Sequence, residues 1–356
     1  MSNAAEPLIL ARREGAITRI TLNRPRAINA LNREMFEALI EAVSAANADG
    51  STAIWLDGAG ERGFCGGGDI KELASGDTAG ILAIEYRLDY LVATSAVPIV
   101  GIMDGITMGG GIGLTGHLRH RVVTERSRLA MPEVRIGIAP DVGGNLLLAR
   151  APGRLGELLA VTAGDLGAGD AIALGFADRF VPQERLEAMR AALAAGEDPT
   201  TACSRFAEPS PEPTVLAARE WWDPIAEDAL GGAPVAEDPA AAAMRLVRLL
   251  EESDRAEAAQ TLAVIRSGCP VSIAVSLAQV DRTRRLSLSL AEVLADDLRL
   301  LRRLGARPDF AEGVRAQVID KDRNPRWNPA RIEDLDPAEL DRLLAPLGPG
   351  EAPLEL

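Results

Sequence analysis

Three features of the chain predict an α/β fold. Residues 17–22, 53–56 and 99–103 read as strands, the last two as short apolar runs. Residues 33–48 and 78–94, which separate those runs, place apolar side chains at three- and four-residue spacing, as helices with one buried face do. A glycine cluster closely follows both the second and the third run, in GERGFCGGGDIKEL at 60–73 and DGITMGGGIGL at 104–114. Strands alternating with helices imply βαβ units and a largely parallel sheet.

After the third run, a glycine turn leads into a short helix near residue 112. Beyond residue 153 the alanine and leucine content rises, and Phe180 with Val181 is the one remaining strand-like pair. Prolines at 209, 211, 213, 224, 234 and 239 mark an excursion, within which Trp221 and Trp222 read as buried anchors. Residues 240–252, 255–267, 271–283 and 288–304 then have helical spacing. The expected organisation is an α/β core over 1–200, a Pro-rich excursion or linker over 201–240, and a helical C-terminal region over 241–356 packing on the core. The tail from Leu347 is expected to fray.

The 356 residues carry a net charge of −14, with no basic stripe interleaved with aromatics, which argues against nucleic acid. No apolar run reaches the ~18 residues of a membrane span. The N-terminus lacks a basic segment followed by an apolar one, so a cytoplasmic protein is expected. Cys65, Cys203 and Cys269 have no metal-like spacing. Cys65 lies inside a glycine turn, but the two histidines, His117 and His120, follow the other turn, which leaves it without an obvious base. Asp320 and Asp322 are too few for a calcium loop and read as part of a structural turn. No metal and no redox cofactor are expected.

The chemistry is expected between residues 104 and 144. Glycines before a helix let the backbone approach a ligand closely, and the first helical amides have no internal partner. Such amides bind anions or a developing oxyanion. A dinucleotide site is the competing reading, because GGGIGLTG nearly fits GxGxxG and Glu133 follows at about the right distance. Glu133 stands inside Met-Pro-Glu, however, which reads as a loop and not as the end of a second strand. Two glycine turns would supply two amides, as stabilising a thioester oxyanion requires.

The segments LNRPRAINALN, GFCGGGDIKEL, DGITMGGGIGL and MPEVRIGIAPDVGG together resemble the crotonase (enoyl-CoA hydratase/isomerase) superfamily. The resemblance runs from about residue 17 to about 344 and weakens in the Pro-rich interval. It implies a crotonase-like ββα spiral core with a C-terminal helical appendage. With IEYRLDYL and DFAEGVRAQVIDKDRNPRWNP it is greatest to the 3-hydroxyisobutyryl-CoA hydrolases. By that resemblance the oxyanion-hole amides belong to Gly68 and Gly110, and the acids are Glu133 and Asp141. Glu85 would recognise the substrate hydroxyl, and Arg24, Arg26 and Lys71 would meet the phosphate-bearing end of CoA. His117 matches a family position, although a packed or capping histidine is the simpler reading. Hydratases carry a first glutamate where this chain has Gly113.

The implied activity is hydrolysis of a short branched 3-hydroxyacyl-CoA in valine catabolism, with CoA entering as part of the substrate. An enoyl-CoA hydratase or isomerase of the same superfamily is the alternative, and a non-catalytic CoA-binding protein a second one. The resemblance leaves a monomer, a trimer or a hexamer open.

Overall fold

The computed structural model describes residues 6–356. Strands β1 (Ile9–Glu14) and β2 (Ile17–Leu22) form an antiparallel hairpin, turned at Gly15 with φ +57°. Strands β3 (Ala53–Gly58), β4 (Gly63–Cys65), β5 (Ile99–Met103), β6 (Ile106–Met108), β7 (His120–Val123), β8 (Arg128–Ala130) and β9 (Arg179–Phe180) follow. One sheet has the order β1-β2-β3-β5-β7-β9, with every pair after the hairpin parallel. The second has the order β4-β6-β8. Each of the pairs β3-β4, β5-β6 and β7-β8 therefore places one strand in each sheet before the chain turns away, which is the expected ββα spiral. In all three repeats a predicted site segment follows the second strand: Gly66 to Gly68 after β4, Gly109 and Gly110 after β6, Glu133 after β8.

The helices are α1 (Arg33–Ala48), α2 (Ile70–Ser75), α3 (Thr78–Ala93), α4 (Gly110–Thr115), α5 (Gly144–Arg150), α6 (Leu155–Thr162), α7 (Ala168–Ala173), α8 (Leu186–Ala194), α9 (Pro199–Phe206), α10 (Arg219–Leu230), α11 (Pro239–Glu252), α12 (Ala256–Ser267), α13 (Pro270–Leu286), α14 (Leu290–Gly305), α15 (Pro308–Val314) and α16 (Pro337–Leu344). The residues divide into two compact units. One comprises the chain up to Asp69 with Ile84–Leu129 and Leu166–Pro213, the other Ile70–Ala83, Ala130–Asp165 and Thr214–Leu356. The units thus interleave in sequence and do not meet near residue 200. The reason is that the third repeat leaves the sheets after β8 and rejoins the larger one only at β9.

In the first unit the core forms where Ile17, Trp55, Val100, Ile102 and Val122 from the large sheet meet Met189 and Leu193 of α8. Burying each such side chain stabilises by about 1.5–3 kcal/mol. α1 begins at Asn32, whose side chain accepts the Met35 N–H, and it buries Met35, Phe36, Leu39 and Val43 at helical spacing.

The second unit is built around α13, which is buried on nearly every side and touches α5, α6, α11 and α16. Two of its buried carboxylates pair with arginines: Glu157 with Arg154 and Arg284, and Asp281 with Arg285. The Pro-rich interval is partly helical, since α9 ends and α10 begins within it. Trp222 is fully buried, and its indole N–H donates to the Arg154 carbonyl at 2.7 Å, with Trp221 edge-on beside it, as the anchor reading requires. The tail differs from expectation. Glu351 accepts the Gly348 N–H and pairs with Arg303, and Arg302 donates to the Ala352 carbonyl, so the final residues are tied to α14.

Candidate active site

In the first unit, the two glycine loops come together. The Gly67 carbonyl accepts the Leu31 N–H and the Asp69 N–H donates to Leu31, which pins the first loop to residues 28–31. Gly67 at φ +94° and Gly109 at φ +47°, ψ −118° hold conformations that suit glycine. A Cβ placed on Gly110 would lie 3.4 Å from the Gly68 nitrogen, 3.3 Å from Leu31 and 2.4 Å from Glu85 Oε1. Gly68, Gly110 and the Glu85 carboxylate thus meet at one point. Among the described residues no acceptor faces the N–H of Gly68 or Gly110. Two converging amide donors of this kind suit an oxyanion.

In the second unit, Glu133 and Asp141 are both buried. Glu133 opens a single 3-10 turn, and three bonds fix that turn. The Cys269 N–H donates to the Val134 carbonyl at 2.9 Å, and Arg135 reaches the carbonyls of Thr162 and Ala163 at the end of α6. Asp141 precedes two left-handed residues, Val142 at φ +50° and Gly143 at φ +75°, and its carbonyl accepts the Gly144 N–H at 2.6 Å. Asp297 of α14, fully buried, accepts the Gly143 N–H and the Asn145 side-chain N–H, each at 3.0 Å. Burial, and next the Asp141 charge, push the Asp297 carboxyl well above its ordinary range.

The late motif supports the Glu133 turn directly. A Cβ on Gly313 would meet the Ile136 backbone at 2.5 Å, and one on Gly137, which sits at φ +80°, would meet the Asp309 carbonyl oxygen at 2.5 Å. α15 therefore packs at glycine distance on the residues that follow Glu133. Asp320 and Asp322, the metal-like acids of the sequence, both pair with Arg315, which also holds Glu312 and keeps its carboxyl at about 2.

Residues 17–344 match the family pattern described as enoyl-CoA hydratase/isomerase. The chain belongs to that family. A mitochondrial 3-hydroxyisobutyryl-CoA hydrolase of Gallus gallus is 33% identical over 354 residues, covering 96% of this chain and 89% of the relative. The 3-hydroxyisobutyryl-CoA hydrolase 1 of Arabidopsis thaliana is 31% identical over 95% of this chain and 92% of its own. Among solved structures, an enoyl-CoA hydratase from Rhodobacter sphaeroides superposes with a TM-score of 0.85 at 38% identity over 98% of this chain and all of its own. A carnitinyl-CoA dehydratase from Mycobacterium thermoresistibile superposes at 0.86 and 35%, over 96% and 97% of the two chains. Several of the similar hydrolases are named as mitochondrial, a compartment that the expectation of a cytoplasmic protein did not include. No single helix among the described residues is long and apolar enough to cross a membrane.

The other residues that the sequence singles out differ in burial and bonding. Arg24 donates to the Ala30 carbonyl at 2.9 Å and to Asp69 at 2.8 Å, so it braces the loop that carries Gly68. Arg26 and Lys71 are exposed. Cys65 is fully buried, its Sγ 3.4 Å from the Asn29 carbonyl oxygen, and burial pushes its thiol up to about 12, so it is not a nucleophile. His117 is half-buried just beyond α4. Four residues with evident roles escaped sequence reasoning. Asn29, left-handed and fully buried, donates to the carbonyls of Ala59 and Phe64 and accepts the Arg24 N–H, locking the first glycine loop. Asp89, one helical turn after Glu85, is buried on the same face of α3, and both charges act on Cys65. Asp297 and Asn145 are the other two. For Asp89 the four-residue spacing from Glu85 was a readable signal.

Proposed function

We propose that the protein hydrolyses a short branched 3-hydroxyacyl-CoA of the 3-hydroxyisobutyryl type, as its similar hydrolases are named to do. The amides of Gly68 and Gly110 polarise the thioester carbonyl and hold the oxyanion, and losing one such donor typically costs about 10² to 10³ in rate. Glu133 acts at the carbonyl carbon. It either attacks directly, expelling CoA thiolate to leave a mixed anhydride that water opens, or takes a proton from the attacking water. Asp141 shares a proton with this chemistry or binds the 3-hydroxyl. Glu85, beside the amide pair, recognises the hydroxyl. Arg26 and Lys71 meet the phosphate-bearing end of CoA, with Arg24 contributing mainly through its loop. No cofactor takes part in this route.

The observation that carries this reading against hydration is Gly113. It is buried within α4 and offers no acid where hydratases carry their first glutamate. A hydratase or isomerase remains the second reading because the two solved structures at 35–38% identity bear lyase names. The deciding measurement follows free thiol from 3-hydroxyisobutyryl-CoA and from 3-hydroxypropionyl-CoA alongside water addition to crotonyl-CoA. Hydrolysis faster than hydration is expected. Efficient hydration without thiol release would replace the proposal by the second reading.

A further inference from the structure

The loop that carries Asp141 is tied down on both sides of that residue by one buried carboxylate. Asp297 reaches it from α14, one oxygen accepting the Gly143 N–H and the other the Asn145 Nδ2, each at 3.0 Å. The same Nδ2 donates to the Pro140 carbonyl at 2.7 Å, so the bonds bracket Asp141 from Pro140 to Asn145. Between the anchors, Val142 holds φ +50°. A β-branched residue there is strained, and such a conformation persists only where its surroundings over-determine it. The seat of the anchor is firm. Leu146 packs with Leu288 and Val293, and a reciprocal cap between Ser289 and Glu292 starts α14. The neighbouring Asp296 is otherwise engaged, with Arg282 and Arg299, so Asp297 alone of that acidic pair serves the loop.

We infer that Asp297, with Asn145 as its relay, is a positioning residue that sets the Asp141 carboxylate for thioester hydrolysis without touching the substrate. A carboxylate suits this position because each of its two oxygens accepts one of the N–H donors, from Gly143 and from Asn145. Its carboxyl, pushed upward by burial and then by the Asp141 charge, also lies within the electrostatic reach of Asp141. The inference rests on the proposed role of Asp141.

The test is a double-mutant cycle on the full-length protein, with Asp297→Ala, Asp141→Asn and the double variant assayed on 3-hydroxyisobutyryl-CoA. Asp297→Ala is expected to lower kcat at least about tenfold with KM changed less than about threefold. In the Asp141→Asn background the same change should cost less than about threefold, because residues acting through one group are not additive. Equal losses in both backgrounds would overturn the inference, and so would parental turnover in Asp297→Ala. If Asp297→Ala fails to fold, Asp297→Asn keeps the shape and one acceptor, and amide exchange at Gly143 reads the clamp directly. Faster exchange with lower kcat supports it; lower kcat with unchanged exchange, or faster exchange with parental kcat, overturns it. A parent that releases no CoA, or an Asp141→Asn variant with parental turnover, would sink the underlying reading and the inference with it. That failure is recognisable because failure of the clamp alone leaves both of those results intact.

Discussion

Glu133 is 4% exposed, on a turn held by Cys269, by the end of α6 and by α15. A backbone fixed in this way suits the chemical role proposed for Glu133. On the proposed route, Glu133→Gln preserves volume and removes the nucleophile or base. Its kcat should fall at least about 10²-fold, with CoA affinity and melting temperature close to the parent, as steady-state kinetics and calorimetry would show. Near-parental turnover would mean another acid does the work. Gly68, Gly110, Glu133 and Asp141 were singled out through the resemblance, which rests on local motifs, the two glycine clusters and MPEVRIGIAPDVGG. Asp297 was not, because an acid inside an amphipathic helix looks like any solvated charge until the chain brings Gly143 and Asn145 against it 154 and 152 residues away.

Of the helices longer than about eleven residues, all but α10 fell within a few residues of their expected ends, because apolar spacing over three or more turns is unambiguous; α10 lies in the interval read as a Pro-rich excursion. The three-residue strands β4, β6 and β8 were not visible, since three residues carry no periodicity. The same limit hid the purpose of the late motif. Only its end, from Asp320 to Trp327, was read as a structural turn; its first part, DFAEGV, lies in α15, which packs on the residues after Glu133 through two glycine contacts. A Gly313→Ala substitution places a methyl 2.5 Å from three backbone atoms of Ile136, which cannot rotate aside. Overpacking of this kind costs about 1–3 kcal/mol. The variant should melt several degrees lower, and its kcat should fall more than its KM rises, because the displaced backbone leads back to Glu133. Unchanged melting and turnover would show that α15 yields freely and gives the turn no support.

At the scale of the whole molecule, the ββα spiral follows from βαβ alternation together with the resemblance. The interleaving of the two units does not, since nothing local in residues 130–165 announces that they leave the sheet and join α10 to α16. The chain has a net charge of −14, and in the second unit one buried group makes its own contribution to the dependence of stability on pH. Asp297 has its carboxyl pushed well above the ordinary 3.8 by burial first and by Asp141 next. An acid whose native value is raised binds more protons folded than unfolded between those two values. The free energy of unfolding therefore falls as pH rises through that window, and the stability associated with the protonated group is complete only below about 3.8. Asp297→Asn does not titrate. Although it loses one acceptor and starts less stable at pH 4, it should lose less stability than the parent as pH rises toward 8. Melting temperatures of both proteins measured in parallel between pH 4 and 8 read the contribution of this position, because the rest of the sequence is shared. The two curves should converge as pH rises. Parallel curves would mean that Asp297 ionises in the folded protein as readily as in the unfolded chain, and that its bonds to Gly143 and Asn145 offset the whole effect of burial.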